Sequence, residues 1–198
     1  MIGCRPFTRE EFRRMVKAFE ARGALRERAW FTFGCLSGGL RVSEILSLQI
    51  GDVIQGGRMV DRVTVARRHM KGKRQGRSVL LHPAARVALT AWLRELRARG
   101  FMLREDPLFP GSHASKRQAL SRVSAWRIIR STAAAVGIVG AVGTHSCRKT
   151  FAKNLWEATG HDLLRTQAGM GHADVRATQR YLSFDQAELD RAVLSVDW

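Results

Sequence analysis

Acidic residues are scarce where basic ones abound. Across 198 residues, 34 Lys and Arg face 17 Asp and Glu, a formal charge of +17. Between residues 62 and 153 stand 20 basic residues and three acids, Glu95, Glu105 and Asp106, and residues 107–156 hold no acid at all. The rest of the chain is balanced, with 14 residues of each sign. Charge segregated in this way is the footprint of a polyanion, so nucleic acid is the expected partner. A merely solubilising surface has no reason to segregate its charge so completely. A membrane surface fits less well, because no basic amphipathic helix with a broad aromatic face is present.

Cysteine is scarce too. Cys4, Cys35 and Cys147 are odd in number and widely spaced, with no CxxC pair, which argues against a disulfide framework or a structural zinc site and fits a reducing compartment. There is no apolar N-terminal signal segment. The most apolar run, residues 133–142, is broken by glycine and too short to span a bilayer. The expectation is a soluble, cytoplasmic protein. No cluster of Asp and Glu suits a pair of metal ions, so a two-metal mechanism is not expected. With no repeat, low-complexity tract or clear linker, residues 1–198 read as a single domain, long enough to bury a self-sufficient core.

Helical patterns dominate. Thr8 and Glu11 form a capping box ahead of Phe12, Met15, Val16 and Phe19, and Gly23 ends that segment. Further helices are predicted at about 27–37, 42–48, 83–99, 121–136, 146–158, 162–168, 175–182 and 186–194. Residues 60–70 and 78–82 read as strands joined by a glycine-punctuated turn at 71–76, with Val63 and Val65 on one side. Residues 101–119, carrying Pro107, Pro110 and Gly111, read as a loop. The expected fold class is mainly α with a small antiparallel β-sheet (α+β).

Tyr181 is the single tyrosine, and the residues before it are distinctive. Gly-Gly-Leu-Arg-Val-Ser-Glu places Arg41 after a double glycine with Glu44 one turn on. Thr-His-Ser-Cys-Arg-Lys places His145 and Arg148 three residues apart at a helix start, on one face. His172 follows Gly171, with Asp174 placed to cap the next helix. Each piece also has a plain structural role: an Arg41–Glu44 surface ion pair, a His145 cap, an Arg148 phosphate anchor.

In this order the segments resemble the catalytic domain of the tyrosine recombinases, the phage-integrase family. Its pattern is an arginine in G-x-R-x-S-E, a hairpin lysine, H-x-x-R, then G-H or G-W, and a tyrosine about nine residues later. Arg41, Lys71, His145, Arg148, His172 and Tyr181 match it, and the likeness runs from about residue 8 to 194. The resemblance implies a site-specific recombinase in which Tyr181 cleaves DNA through a 3′-phosphotyrosyl bond, without metal or ATP. It implies double-stranded DNA as the partner, bound by a homo-tetramer on two duplexes, and a monomer when free.

The resemblance also implies that Lys71 protonates the leaving 5′ oxygen, with Lys73 as the alternative, and that Glu44 orients Arg41. Arg67, Arg68, Lys73, Arg74, Arg77 and Lys149 are the expected DNA contacts, and Cys147 is expected to be buried packing. His69, His82, His113 and His161 match nothing in the pattern. The N-terminal DNA-clamping domain of the family is expected to be absent. Residues 183–198 are expected either to dock on a neighbouring protomer or to pack on their own domain. A type IB topoisomerase-like relaxation and a DNA-binding regulator with a disused site are the competing functions.

The chemistry stands without the family name. In-line attack on a phosphodiester builds negative charge that fixed donors must neutralise, and the planar forks of Arg41 and Arg148 suit that task. His145 and His172 can add donors or handle the nucleophile's proton. Storing the bond as a tyrosine ester permits religation.

Overall fold

The structure, a computed structural model, describes residues 4–65, 76–111, 117–179, 181–182, 190 and 193–196. It comprises two units, Met1–Phe151 and Ala152–Trp198.

In the first unit, Thr8 caps α1 (Arg9–Ala21) by accepting the Glu11 amide, while the Glu11 carboxylate accepts the Thr8 amide. Met15 and Phe19 of α1 are buried. Phe31 of α2 (Leu25–Leu36) stands at 5.4–5.6 Å, ring to ring, from Phe7, Phe12 and Phe19. α2 is buried from residue 29 to residue 35, as a helix enclosed by others must be. After Gly38 and Gly39, both at positive φ, come the short α3 (Val42–Leu46) and α4 (Ile50–Val53).

A hairpin follows that the sequence pattern did not foretell: β1 (Ile54–Gln55) and β2 (Arg58–Met59), antiparallel, turning through Gly56 and Gly57 at φ +55° and +75°. Strands of two residues are too short to display a period. β3 (Arg62–Val65) pairs antiparallel with β4 (Arg77–Leu80). The fold is therefore mainly α with small antiparallel β-sheets, as expected, and the described residues hold two sheets of two strands each. Of the expected strand–turn–strand, residues 66–75 lie outside the described residues.

β4 begins at Arg77, one residue before the expected strand, and the shift matters. Val63, Val65 and Val79 are buried while Thr64 and Ser78 are exposed, so alternation puts Arg77, opposite Val65, on the inward face with Val79.

His82 caps α5 (Pro83–Ala98), its Nδ1 accepting the Ala84 amide at 3.1 Å, with Pro83 in the first turn. Ala85, Leu89, Trp92 and Leu96 form the buried face of α5, which packs against α2. The Trp92 indole donates to the Leu108 carbonyl at 2.7 Å, pinning the connection to α6 (Arg122–Ala135). α7 (Thr144–Ala158) starts in the first unit and ends in the second.

In the second unit, Asp162 caps α8 (Leu163–Met170), and Gly171, in the left-handed conformation, closes it. α9 (Val175–Gln179) packs on α8, and Asp174 accepts the Arg176 amide at 2.9 Å. The expected last helix lies largely outside the described residues. No described helix is long and apolar enough to cross a membrane.

Candidate active site

The first unit gathers charge around the turn between α2 and α3. Gly38 has a φ of +63°, and a Cβ there would fall 2.3 Å from the Val79 side chain of β4. Only glycine permits so close an approach in that conformation. The neighbouring Ser37 hydroxyl accepts the His82 amide at 3.1 Å, a second tie from this turn to the end of the β3–β4 hairpin. The Gly39 carbonyl accepts a hydrogen bond from the Arg148 guanidinium.

Arg41 caps α3. Glu44, 1% exposed, accepts both the Arg41 amide at 2.7 Å and its guanidinium at 2.9 Å. This carboxylate therefore fixes the backbone and the fork of one residue together.

Arg148 is itself buried, at 3% exposure. It stands on α7, whose start is set by the Ser146 hydroxyl accepting the Gly143 amide at 3.0 Å. Cys147 beside it is buried, and a Cβ on Gly34 of α2 would stand 3.4 Å from its own Cβ, so α7 and α2 are in close contact here. Burial, together with the adjacent Cys147 thiol, pushes the Cys35 thiol well up from its ordinary pKa.

Arg77 comes in from β4. Burial, then the Arg148 charge, lowers its pKa to about 10; Glu44 opposes the shift and Arg41 adds to it. Three guanidiniums thus share one electrostatic neighbourhood with one buried carboxylate. His145, one turn before Lys149 on α7, has its pKa lowered from the ordinary 6.5 by partial burial first, then by Arg148, Arg41 and Lys149. These surroundings favour the uncharged imidazole, which accepts a proton at one nitrogen and donates one from the other.

In the second unit, the His172 Nδ1 lies 2.9 Å from the hydroxyl of the buried Thr178. The His172 and Tyr181 rings are 5.2 Å apart, centroid to centroid. The Tyr181 amide donates to the Thr178 carbonyl at 2.9 Å, and Gln167 brackets His172 by donating to and accepting from its backbone. Thr178 thus holds the histidine by its side chain and the tyrosine by its backbone. It was not singled out in the sequence; its position three residues before Tyr181 was the available signal.

Arg41, Glu44, Arg77, His145, Arg148 and Lys149 are therefore brought together in the first unit, and His172 and Tyr181 in the second. Lys71, Lys73, Arg67, Arg68 and Arg74 lie outside the described residues. His161 packs its ring on Trp156, 5.3 Å between centroids. Among the described residues no three His, Cys, Asp or Glu side chains are gathered so as to hold a metal ion.

Residues 5–188 match the sequence model described as the phage integrase family. The chain belongs to that family, the tyrosine-type site-specific DNA recombinases. It is 27% identical over 171 residues to "Probable integrase/recombinase YoeC" of Bacillus subtilis, spanning 84% of that protein. It is 36% identical over 167 residues to tyrosine recombinase XerC of Rhodospirillum centenum, covering 83% of this chain but only 44% of the relative. Among solved structures, that of the XerA recombinase superposes with a TM-score of 0.77 at 24% identity, covering 100% of this chain and 68% of the other. The mainly helical fold with small antiparallel sheets is the catalytic-domain fold of the phage integrase family.

Proposed function

We propose that the chain cleaves and rejoins double-stranded DNA at a specific site through a 3′-phosphotyrosyl intermediate on Tyr181, without metal or ATP, in the cytoplasm. In this reading it acts as a tetramer on two duplexes. The observation that carries it is the convergence of Arg41, Arg77 and Arg148 near the buried Glu44. Folding places three cations side by side at an electrostatic cost, and an anion with several oxygens is what relieves it.

In the proposed step the Tyr181 oxygen bonds to phosphorus while the bond from phosphorus to the 5′ oxygen breaks. The phenolic proton passes to a neutral imidazole, for which His145 and His172 are the candidates, and Lys71 supplies the proton taken by the departing 5′ oxygen. The arginines donate to the non-bridging oxygens as their charge grows. Religation is the same step reversed, with a 5′ hydroxyl as the nucleophile. Lys149 and the basic residues of the 66–75 segment contact flanking phosphates, which position the duplex without reading its bases.

The test is covalent trapping on a nicked suicide duplex carrying the recombination site, in EDTA, with Tyr181→Phe alongside. An adduct with the wild-type chain alone is the expected result. An adduct in both proteins removes Tyr181 as the nucleophile, and none in either, on a duplex that is tightly bound, removes the transfer reaction.

A further inference from the structure

α5 has a second face that the core does not use. While Ala85, Leu89, Trp92 and Leu96 are buried, Thr90, Leu93, Arg94 and Arg97 form a separate stripe at spacings of three and four residues. This stripe walls a hollow of about 660 Å³. Ile54 and Met59 of the β1–β2 hairpin, with Leu93 and Phe101, make an apolar lining. Arg104 closes the far side, and Met102, which also lines the hollow, is 67% exposed. The wall is built rather than loose: Gly51 of α4 donates its amide to the Arg104 carbonyl at 2.9 Å, and a Cβ on Gly51 would stand 3.1 Å from that same oxygen.

Arg94, Arg97 and Arg104 make no ion pair or side-chain hydrogen bond among the described residues, and no acid lines the hollow. The place of Arg97 in the last turn suits the helix end, but that does not account for Arg94 or for Arg104 on a different element. Nucleic acid alone is a poor occupant, because phosphates gain nothing from an apolar lining. The fitting partner carries apolar side chains and carboxylates together. A stripe from residue 90 to 97 is two helical turns long, which matches two or three apolar anchors on a facing helix. Met59 and Met102 can adapt to such anchors.

We propose that this hollow is a docking site for an acidic amphipathic helix of a partner protein, whose apolar side chains enter between α5 and the β1–β2 hairpin while its carboxylates pair with Arg94, Arg97 and Arg104. The surface shares no residue with the charged site described above and does not depend on the reaction proposed for it.

The probe is a fluorescein-labelled synthetic helix of about 16 residues, with leucines on one face and glutamates flanking them, titrated with the full chain and read by anisotropy. Binding in the range of ~10–100 µM is expected. Reversing the three charges (R94E, R97E, R104E) should weaken it at least about tenfold. Thr90→Trp, which fills the hollow and leaves every charge in place, should do the same. Unchanged thermal melting shows that both variants are folded. The proposal is overturned if a leucine-to-serine version of the peptide binds equally well, which reduces the site to charge alone. It is equally overturned if duplex DNA displaces the peptide, assigning the face to DNA. Binding of a peptide of residues 183–198 more than about tenfold tighter than the probe would assign the face to a second copy of this chain, against the proposal.

Discussion

The guanidinium of Arg148 is held by the carbonyl of Gly39, two residues before Arg41. One turn of chain therefore fixes two arginines that stand 107 residues apart in the sequence. Glu44 completes the arrangement from one helical turn beyond.

The hinge of that turn is Gly38. Gly38→Ala puts a methyl group into Val79 and forces a left-handed alanine, two penalties expected to total about 3 kcal/mol. Gly38→Ala combined with Val79→Ala should recover the steric share, leaving the backbone share. Urea melts of the four proteins check this; strictly additive losses from the two single changes would show that the residues do not press on one another.

Crowded guanidiniums should make the fold sensitive to anions. Sulfate at constant ionic strength should raise the melting temperature by about 3 °C over chloride, since an anion bound only to the folded state stabilises it. Arg77→Met should melt higher than wild type in chloride and lose most of the sulfate increment. A variant that melts lower in chloride and keeps the increment would place the anion elsewhere.

The His145 imidazole should titrate below its ordinary value of 6.5 in the free protein. Between that lowered pKa and 6.5 the unfolded chain binds the proton more readily. The stability tied to His145 is therefore whole above pH 6.5 and is lost as the pH falls through that interval. Arg41→Gln, by removing a neighbouring cation, should move the midpoint upward, and so should DNA bound at the site. NMR titration of the histidine ring reads both shifts; a midpoint indifferent to Arg41 would leave burial as the whole cause.

Thr178→Val removes the hydroxyl beside His172 at nearly constant volume. Adduct formation should fall about tenfold while DNA affinity stays within about twofold, because the change releases the ring and leaves the basic residues in place. Thr178→Ser should restore the rate. Parallel losses of rate and affinity would mean that Thr178 merely holds the unit together.

The helices and the order of the site residues were legible because both are local: caps, the 3.6-residue period and short motifs survive in one dimension. The neighbourhood of Arg77 was not. Placed in a turn it is one surface cation among several, whereas starting β4 one residue earlier turns it inward, and register is fixed by pairing with Val65 rather than by its own surroundings. Thr178 escaped notice for a related reason, since a threonine in a short helix has many ordinary roles until the fold brings His172 to its hydroxyl. The β1–β2 hairpin, which completes the apolar hollow, is too brief to leave a period.

Among the described residues, Glu44 is the carboxylate that acts on Arg77 alongside the Arg41 and Arg148 charges. Counted by themselves, Arg41, Arg77, Arg148 and Glu44 carry a formal charge of two positive. A phosphodiester in its resting state brings about one negative charge, whereas the five-coordinate phosphorus of the proposed attack carries about two. In the proposed reaction these four groups therefore match the charge of the attacked phosphorus better than that of the resting diester, a difference that would favour the transition state over the ground state.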